Sequence, residues 1–429
     1  MGCKMSNDLN QENKDTKVHN SKKNEYSDSN YYYNVLTNQL SILSERGAQT
    51  KESILKKFFG IPGIKHIFGK YVVDHSDDVS KLNVVLNNAD NYYDNHSIKL
   101  LVDGVYFKKG YVLTNDQDSR FGEWSGMAFD NKGDLILVSD RGAYLKSSIV
   151  NKDGYLQNFV NTTIGKIRVD DYNTKTTKDL EELAVSNGSC FISDESLHQI
   201  LRYENCDFSK LPMAIKIPDW NGELSYNKGI EAFDINSEGK FLAIAEYAQD
   251  KKNSSVHKAY YWTFIKSYYY ARLLDDSIDD CQKEFTYLSN EGYGISGLKF
   301  LKNGDLIVLE RHYNKIFGGF AENYEIDIKY IKKQEIENAI EKNTEVKGKS
   351  IIHIDNDSIS GKYGYADNFE SIAVKEENDL TLIYILSDDN RAPFERSILL
   401  EFEINDYLLS DDKGTTLVKS EMPDPYVDL

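Results

Sequence analysis

Carboxylates recur at matching places along this chain. Asp140, Glu181, Asp194, Glu195, Glu231, Glu246, Glu310, Glu370, Asp388 and Asp389 each sit at the start or the end of a short apolar run. Clusters built only from oxygen donors suit hard cations, Ca2+ or Mg2+ rather than zinc. Such a cation can neutralise an anionic substrate and lower the pKa of an attacking water. Asp140, Glu181, Asp194, Glu195, Glu231, Glu310 and Asp388 are the expected ligands. Arg141, Lys228, Arg311 and Asn390 are the candidates to bind substrate oxygens. Glu370 or His312 would move a proton while Arg311 and Arg141 stabilise developing charge. Each residue also has a plainer reading. An Asp that follows Ser at a strand end often caps a turn by accepting backbone N–H groups, and His312 fits an ordinary surface or core position equally well.

What must position these groups is a repeated strand–turn–strand unit. Five segments share a polar or acidic lead-in, an apolar strand, a Gly or Asn turn, a second apolar strand and an acidic end. They begin near residues 125, 182, 231, 296 and 371, at spacings of 49 to 75 residues. A propeller blade of four strands needs about 40–50 residues, so these spacings fit blades with loop insertions. The long final interval predicts one further blade, six in all. In a hairpin, the start of the first strand and the end of the second share an edge. Radial symmetry would then gather the lead-in and trailing acids at one mouth of a central channel. So many carboxylates in one place need a counter-charge to stay ionised.

The fold class read from this texture is all-β, a β-propeller over residues 97–410. Strand Ile98–Phe107 is expected to join the last blade and close the ring. A strand at Tyr324–Ile331 and a helix at Lys332–Lys342 interrupt the repeats. Residues 1–34, rich in Asn, Lys, Ser and Asp, read as a disordered tail, and residues 411–429 as a C-terminal tail. Residues 35–96 read as an extension with short amphipathic helices. Within it, Ile61–Val73 is expected to pack on the main body, with a membrane-surface anchor as the alternative. Cys190 and Cys206 would pair only if neighbouring strands met; two small buried apolar residues is the preferred reading. Met1-Gly2-Cys3 formally fits a lipidation signal, with a lipid anchor at Cys3 as its consequence, but a plain N-terminus is preferred.

The chain has 429 residues, 51 Lys+Arg against 69 Asp+Glu, and a formal net charge of −18. That balance opposes binding to nucleic acid or to anionic lipid, both of which need a basic face. No apolar run is long enough for a transmembrane helix. The sequence carries no Gly-x-Ser-x-Gly elbow, HExxH, Walker A or dinucleotide fingerprint, so serine-triad, zinc and nucleotide chemistry have no motif behind them.

The blocks SGMAFDNKGDLILVSDRG, DLEELAV…FISDE, NKGIEAFDINSEGKFLAIAE, GLKFLKNGDLIVLER and DNFESIAV…ILSDDN resemble, in that order, the esterase-like-activity-of-phytase family of bacterial proteins. The resemblance spans about residues 97–405. It implies a phytase-like propeller, a hydrolase of ester or phosphoester bonds, and a periplasmic or cell-envelope setting, where the absence of a signal peptide instead favours the cytoplasm. Asp140-Arg141, Glu181, Asp194-Glu195, Glu231, Glu246, Glu310-Arg311, Glu370 and Asp388–Asn390 match the family's recurring positions. Glu182, Ala232 and Ser371 stand where that family has Gly after the acid, and His312 where an acid is more typical. The reading is therefore metal-assisted hydrolysis of a small anionic ester or phosphoester, with Ca2+ the expected ion and Mg2+ still open. The alternative is a non-catalytic propeller that binds a ligand or protein at the cell envelope.

Overall fold

The structure is a computed structural model that describes residues 79–89, 98–115, 117–152, 154–169, 179–217, 230–247, 254–263, 282–316, 321–355, 366–377, 380–391 and 395–405. The expected tails and residues 35–78 of the expected helical extension, Ile61–Val73 included, lie outside them.

Four strands come first: β1 (Ser80–Lys81), β2 (Val85–Asn88), β3 (Ile98–Leu100) and β4 (Val105–Thr114). β5 (Trp124–Phe129), β6 (Asp134–Ser139), β7 (Ala143–Lys152) and β8 (Tyr155–Lys166) form blade 1, with β1 added outside β8. β9 (Leu180–Ser186), β10 (Ser189–Asp194), β11 (Gln199–Glu204) and β12 (Met213–Lys216) form blade 2. Blade 3 comprises β13 (Ala232–Ile235), β14 (Lys240–Ile244), β15 (Val256–Thr263) and β16 (Lys283–Leu288). Blade 4 begins with β17 (Gly294–Phe300), β18 (Leu306–Ile316) and β19 (Ala321–Ile331). Helix α1 (Lys333–Lys342) and β20 (Glu345–Val346) then cross to blade 3, where β20 pairs with β16, before β21 (Lys349–Ile354) returns to blade 4. β22 (Asn368–Glu377), β23 (Leu380–Asp388) and β24 (Ile398–Asn405) make blade 5.

The described residues thus form five blades, not the expected six. Among its described residues, the long interval before residue 371 holds the 11-residue strands of the β18–β19 hairpin, helix α1, β20 and β21, and no further sheet. The segment expected as one closing strand divides: β3 pairs with β21 in blade 4, and β4 pairs with β24 in blade 5. β2 adds outside β4. The chain before blade 1 therefore stitches three blades together.

Five apolar clusters lie one at each blade interface, which closes the ring. Strand alternation makes this possible. In β6, Leu135 and Leu137 pack toward blade 5, whereas Ile136 and Val138 pack toward blade 2. A strand buried on both faces must be apolar throughout, which is why the second strands read LILV, FLAI and LIVL. The inner strands β5, β9, β13, β17 and β22 touch in turn around the axis.

Cys190 of β10 and Cys206, in the turn after β11, form a disulfide, contrary to the expectation of two free buried thiols. β10 and β11 pair Cys190 with Tyr203, so a three-residue turn brings Cys206 back over the strand, with the Cα atoms 4.8 Å apart. The bond closes a loop with a sequence separation of 16. Loop-closure entropy for that length is worth about 3 kcal/mol. Cys206→Ser is expected to lower stability by about that much in denaturant titration, and reductant should do the same to the wild type only.

A candidate cation site at the propeller mouth

The first inner strand of four blades carries a one-residue irregularity near its start. The register shifts between Trp124 and Gly126, opposite Ile192–Asp194 in β9, between Ile295 and Gly297, and between Phe369 and Ser371. A bulge re-aims the extra side chain. The residues at these places are Ser125, Glu181, Ser296 and Glu370, and Glu231 takes the corresponding place just before β13. The apolar residue preceding each one, Trp124, Leu180, Ile230, Ile295 or Phe369, is buried between blades. The lead-in acids are thus anchored by an apolar neighbour and turned toward the axis.

Close approach of the inner strands sets the residue that follows. A Cβ on Gly297 would fall 2.8 Å from Ile372 Cγ2 and 3.0 Å from Glu182 Oε2. Where Gly is replaced, the side chain has a task. Ser371 donates its hydroxyl to the Trp124 carbonyl, 3.0 Å, tying blade 5 to blade 1. Glu182, wholly buried, reaches across the channel from blade 2 to Lys299 of blade 4, Oε1 to Nζ 2.7 Å. Lys299 also donates to the Leu183 carbonyl at 2.8 Å, and Leu183 N donates to Glu182 at 2.9 Å. Burial pushes the Glu182 carboxyl up to about 8, although Lys299 opposes it. This pair occupies the channel beside the mouth.

Two groups of three carboxylates meet at the mouth: Asp179, Glu181 and Glu195, and Glu195, Glu231 and Glu246. Within each group, one oxygen per residue lies within 4.8 Å of the others. Oxygens that share one Ca2+ at about 2.4 Å can be at most about 4.8 Å apart, and each group meets that distance limit. Glu195 belongs to both. Burial is the first cause that raises the carboxyls of Asp179, Glu181, Glu231 and Glu246. Neighbouring acids add to it, Glu231 for Glu181 and Glu246 for Glu231. Asp388 is pushed up by burial and then by Glu370, and Asp140 to about 8 by burial and then Glu123.

Arg311, partly buried, stands among these acids. Its Nη2 lies 3.5 Å from Glu246 Oε1 and 3.8 Å from Glu231 Oε2, and its Nη1 contacts Glu370 Oε1 and the Asn368 side-chain oxygen. Asn368 Nδ2 donates to the same Glu370 oxygen at 2.8 Å. At the blade 1 edge, half-exposed Arg141 meets Glu123 at 2.6 Å, and Arg391 meets the other Glu123 oxygen at 2.6 Å.

The remaining expected site residues lie elsewhere. Glu310 shares the β18 face of Leu306 and Val308, so it turns into the interface with blade 3. There it accepts from the Tyr287 hydroxyl, 2.6 Å, and from Asn290 N, 3.0 Å, with Lys329 at 3.7 Å. Asp194 caps its own turn, accepting from Ser196 Oγ, Leu197 N and Gln199 Nε2 at 2.8–3.2 Å. Asp389 likewise accepts from Glu123 N, Arg391 N and Ser397 Oγ at 3.1–3.3 Å. His312 is one residue past Arg311 and faces away, its Nδ1 2.8 Å from the Gly292 carbonyl and its ring stacked on Tyr293. Asn390 donates to Glu395 at 2.7 Å. Lys228 lies outside the described residues. Asp179, Glu123 and the Glu182–Lys299 pair are the members that sequence reasoning missed. Asp179 stands directly before the β9 repeat and could have been found there; a pairing across the channel leaves no local signal.

Residues 119–391 match the profile of the Phytase-like family, described as esterase-like activity of phytase. The chain belongs to this phytase-like family. No curated protein matches it in sequence. Among solved structures it is similar to the PQQ-bound aldose sugar dehydrogenase of Streptomyces coelicolor, at 12% identity and TM-score 0.36, covering 72% of this chain and 98% of that one. It is also similar to Myxococcus xanthus glutaminyl cyclase, at 10% identity and TM-score 0.36, covering 70% and 96%. A third is the calcium structure of the Trichoderma reesei carbohydrate-active enzyme of family AA12, at 7% identity and TM-score 0.36, covering 76% and 99%. At these scores no chemistry transfers; the phytase-like propeller stands on its own sheet order.

Behind Glu246 of the phytase-like mouth, the Ala245 carbonyl is 3.0 Å from Nδ1 of His257 of β15, which is wholly buried and has Nε2 2.9 Å from Ser289 Oγ. Burial lowers its pKa. In the pH interval between the folded and unfolded pKa values the unfolded chain binds the extra proton, so stability rises with pH there. The contribution of His257 to stability is expected to fall as pH drops below about 6.5, by up to about 1.4 kcal/mol per unit of pKa depression. Thermal unfolding of wild type and His257→Gln from pH 8 to 5 checks this: the difference between them should shrink with acidification.

Proposed function

We propose that this propeller hydrolyses small anionic esters or phosphoesters at its acidic mouth with the help of a divalent cation, Ca2+ or Mg2+. The observation that carries the reading is the pair of three-carboxylate groups sharing Glu195. Asp179, Glu181, Glu195, Glu231 and Glu246 are the residues that would hold the ion, an oxygen-only set suited to a hard cation. When bound, the cation supplies charge neutralisation for the substrate oxyanion and a more acidic attacking water. Glu370, oriented by Arg311 and Asn368, is the group available to take a proton from that water. Arg141, half-exposed at the rim, is a cation that a substrate oxygen can reach. The Glu182–Lys299 pair occupies the channel beside the mouth, which favours substrate entry from the mouth side. Membership of the phytase-like family supports the same reaction class.

The experiment is hydrolysis of a generic phosphomonoester and a short acyl ester, each with Ca2+ and with excess chelator. Turnover of one or both that disappears with chelator is expected. Equal rates in both conditions, or none in either, would remove the reading.

A second reading, a non-catalytic binding propeller of the cell envelope, is favoured by one feature. His312 faces away from the acids and Arg311 is already engaged by three carboxylates, so two expected catalytic groups are not presented to a ligand. The Cys190–Cys206 bond fits an oxidising compartment under either reading. Cation-induced stabilisation without turnover would select it.

A further inference from the structure

Blade 4 breaks the acidic pattern of the mouth. Blades 2, 3 and 5 place Glu181, Glu231 and Glu370 at the lead-in position, where blades 1 and 4 have Ser125 and Ser296. After its second strand blade 3 presents Glu246, whereas blade 4 withdraws Glu310 toward Tyr287 and Lys329 and presents Arg311. The guanidinium gathers oxygens from both sides: Glu231 and Glu246 of blade 3, and Asn368 and Glu370 of blade 5. Three carboxylates and an amide oxygen around one cation are oxygen donors of the kind a calcium ion takes. Glu231 and Glu246 face two ways, toward Arg311 and toward Glu195.

We propose that Arg311 is a resident cation of the mouth, holding the place between Glu231, Glu246 and Glu370 that a divalent ion would otherwise take, and so setting how many exchangeable ions the mouth binds. The inference deepens the metal-assisted reading and rests on it only for the role of the exchangeable ion. A guanidinium differs from a metal in two respects. It cannot be removed by chelator or dilution, so the blade 3 and blade 5 acids keep a counter-charge at every cation concentration. It also has no open coordination position, so it orients groups without activating water. The exchangeable ion is thereby steered to the Asp179, Glu181 and Glu195 side.

The test counts Ca2+ bound per full-length chain by equilibrium dialysis, for wild type, Arg311→Gln and Arg311→Lys. Arg311→Gln is expected to bind one Ca2+ more than wild type, and Arg311→Lys the same number as wild type. An unchanged count in Arg311→Gln overturns the proposal. Should Arg311→Gln not fold in chelator, the proposal requires Ca2+, and not equal ionic strength of NaCl, to restore its folded circular dichroism. A chain that stays unfolded at saturating Ca2+ overturns it too. The two readings separate cleanly. Wild type binding no Ca2+ while Arg311→Gln binds one upholds the resident cation and removes metal assistance. Wild type binding Ca2+ with no gain in Arg311→Gln does the reverse.

Discussion

Glu195→Gln is expected to abolish most of the stabilisation that Ca2+ gives the wild-type protein. Glu195 is the residue that both carboxylate groups share, so its loss takes one anionic ligand from each at once. Gln keeps the shape and an oxygen donor but removes the charge on which a hard cation depends. At a free Ca2+ concentration one hundred times Kd, wild type should gain about 2.7 kcal/mol, and a variant with affinity weakened one-hundredfold about 0.4 kcal/mol. In chelator the sign reverses. Removing one of several mutually repelling buried carboxylates relieves repulsion, so Glu195→Gln should then be at least as stable as wild type. Thermal unfolding with Ca2+ and with chelator reads both effects; equal Ca2+ shifts in the two proteins would contradict the assignment.

The second large effect lies in the channel. Lys299→Met is expected to cost about 3–5 kcal/mol, because it leaves Glu182 buried without its partner. The double variant Lys299→Met with Glu182→Met should recover most of that loss, since a buried pair replaced by apolar groups of similar volume is often near neutral. Urea unfolding of the two single variants and the double completes the cycle. If the double variant is no better than Lys299→Met alone, the pair is not the source of the cost.

The repeated hairpins, and with them the propeller and the lead-in acids, were legible because strand alternation and turn residues act locally. Glu181, Glu231 and Glu370 stand at equivalent places, and the structure gathers them with Glu195 and Glu246. The blade count was not legible: the interval before residue 371 is long enough for a blade, yet it is filled by an overlong hairpin and a helix. Glu310 and Arg311 show a second limit. They are adjacent in sequence, and a period of two sends them to opposite faces, so only the pairing register decides which one reaches the mouth. Asp194 and Asp389 show a third, since an acid at a strand end caps a turn or lines a site according to the backbone N–H groups beside it. The Cys190–Cys206 bond depended on how the chain turns after β11, which no spacing rule encodes.

The most direct measurement of the central claim is anomalous diffraction from crystals grown with Mn2+ in place of Ca2+. The account predicts a peak at the mouth, about 2.0–2.6 Å from carboxylate oxygens of Asp179, Glu181 and Glu195, and absent from Glu195→Gln crystals. Peaks found only on the outer faces of the blades, or a mouth peak that persists in Glu195→Gln, would contradict it.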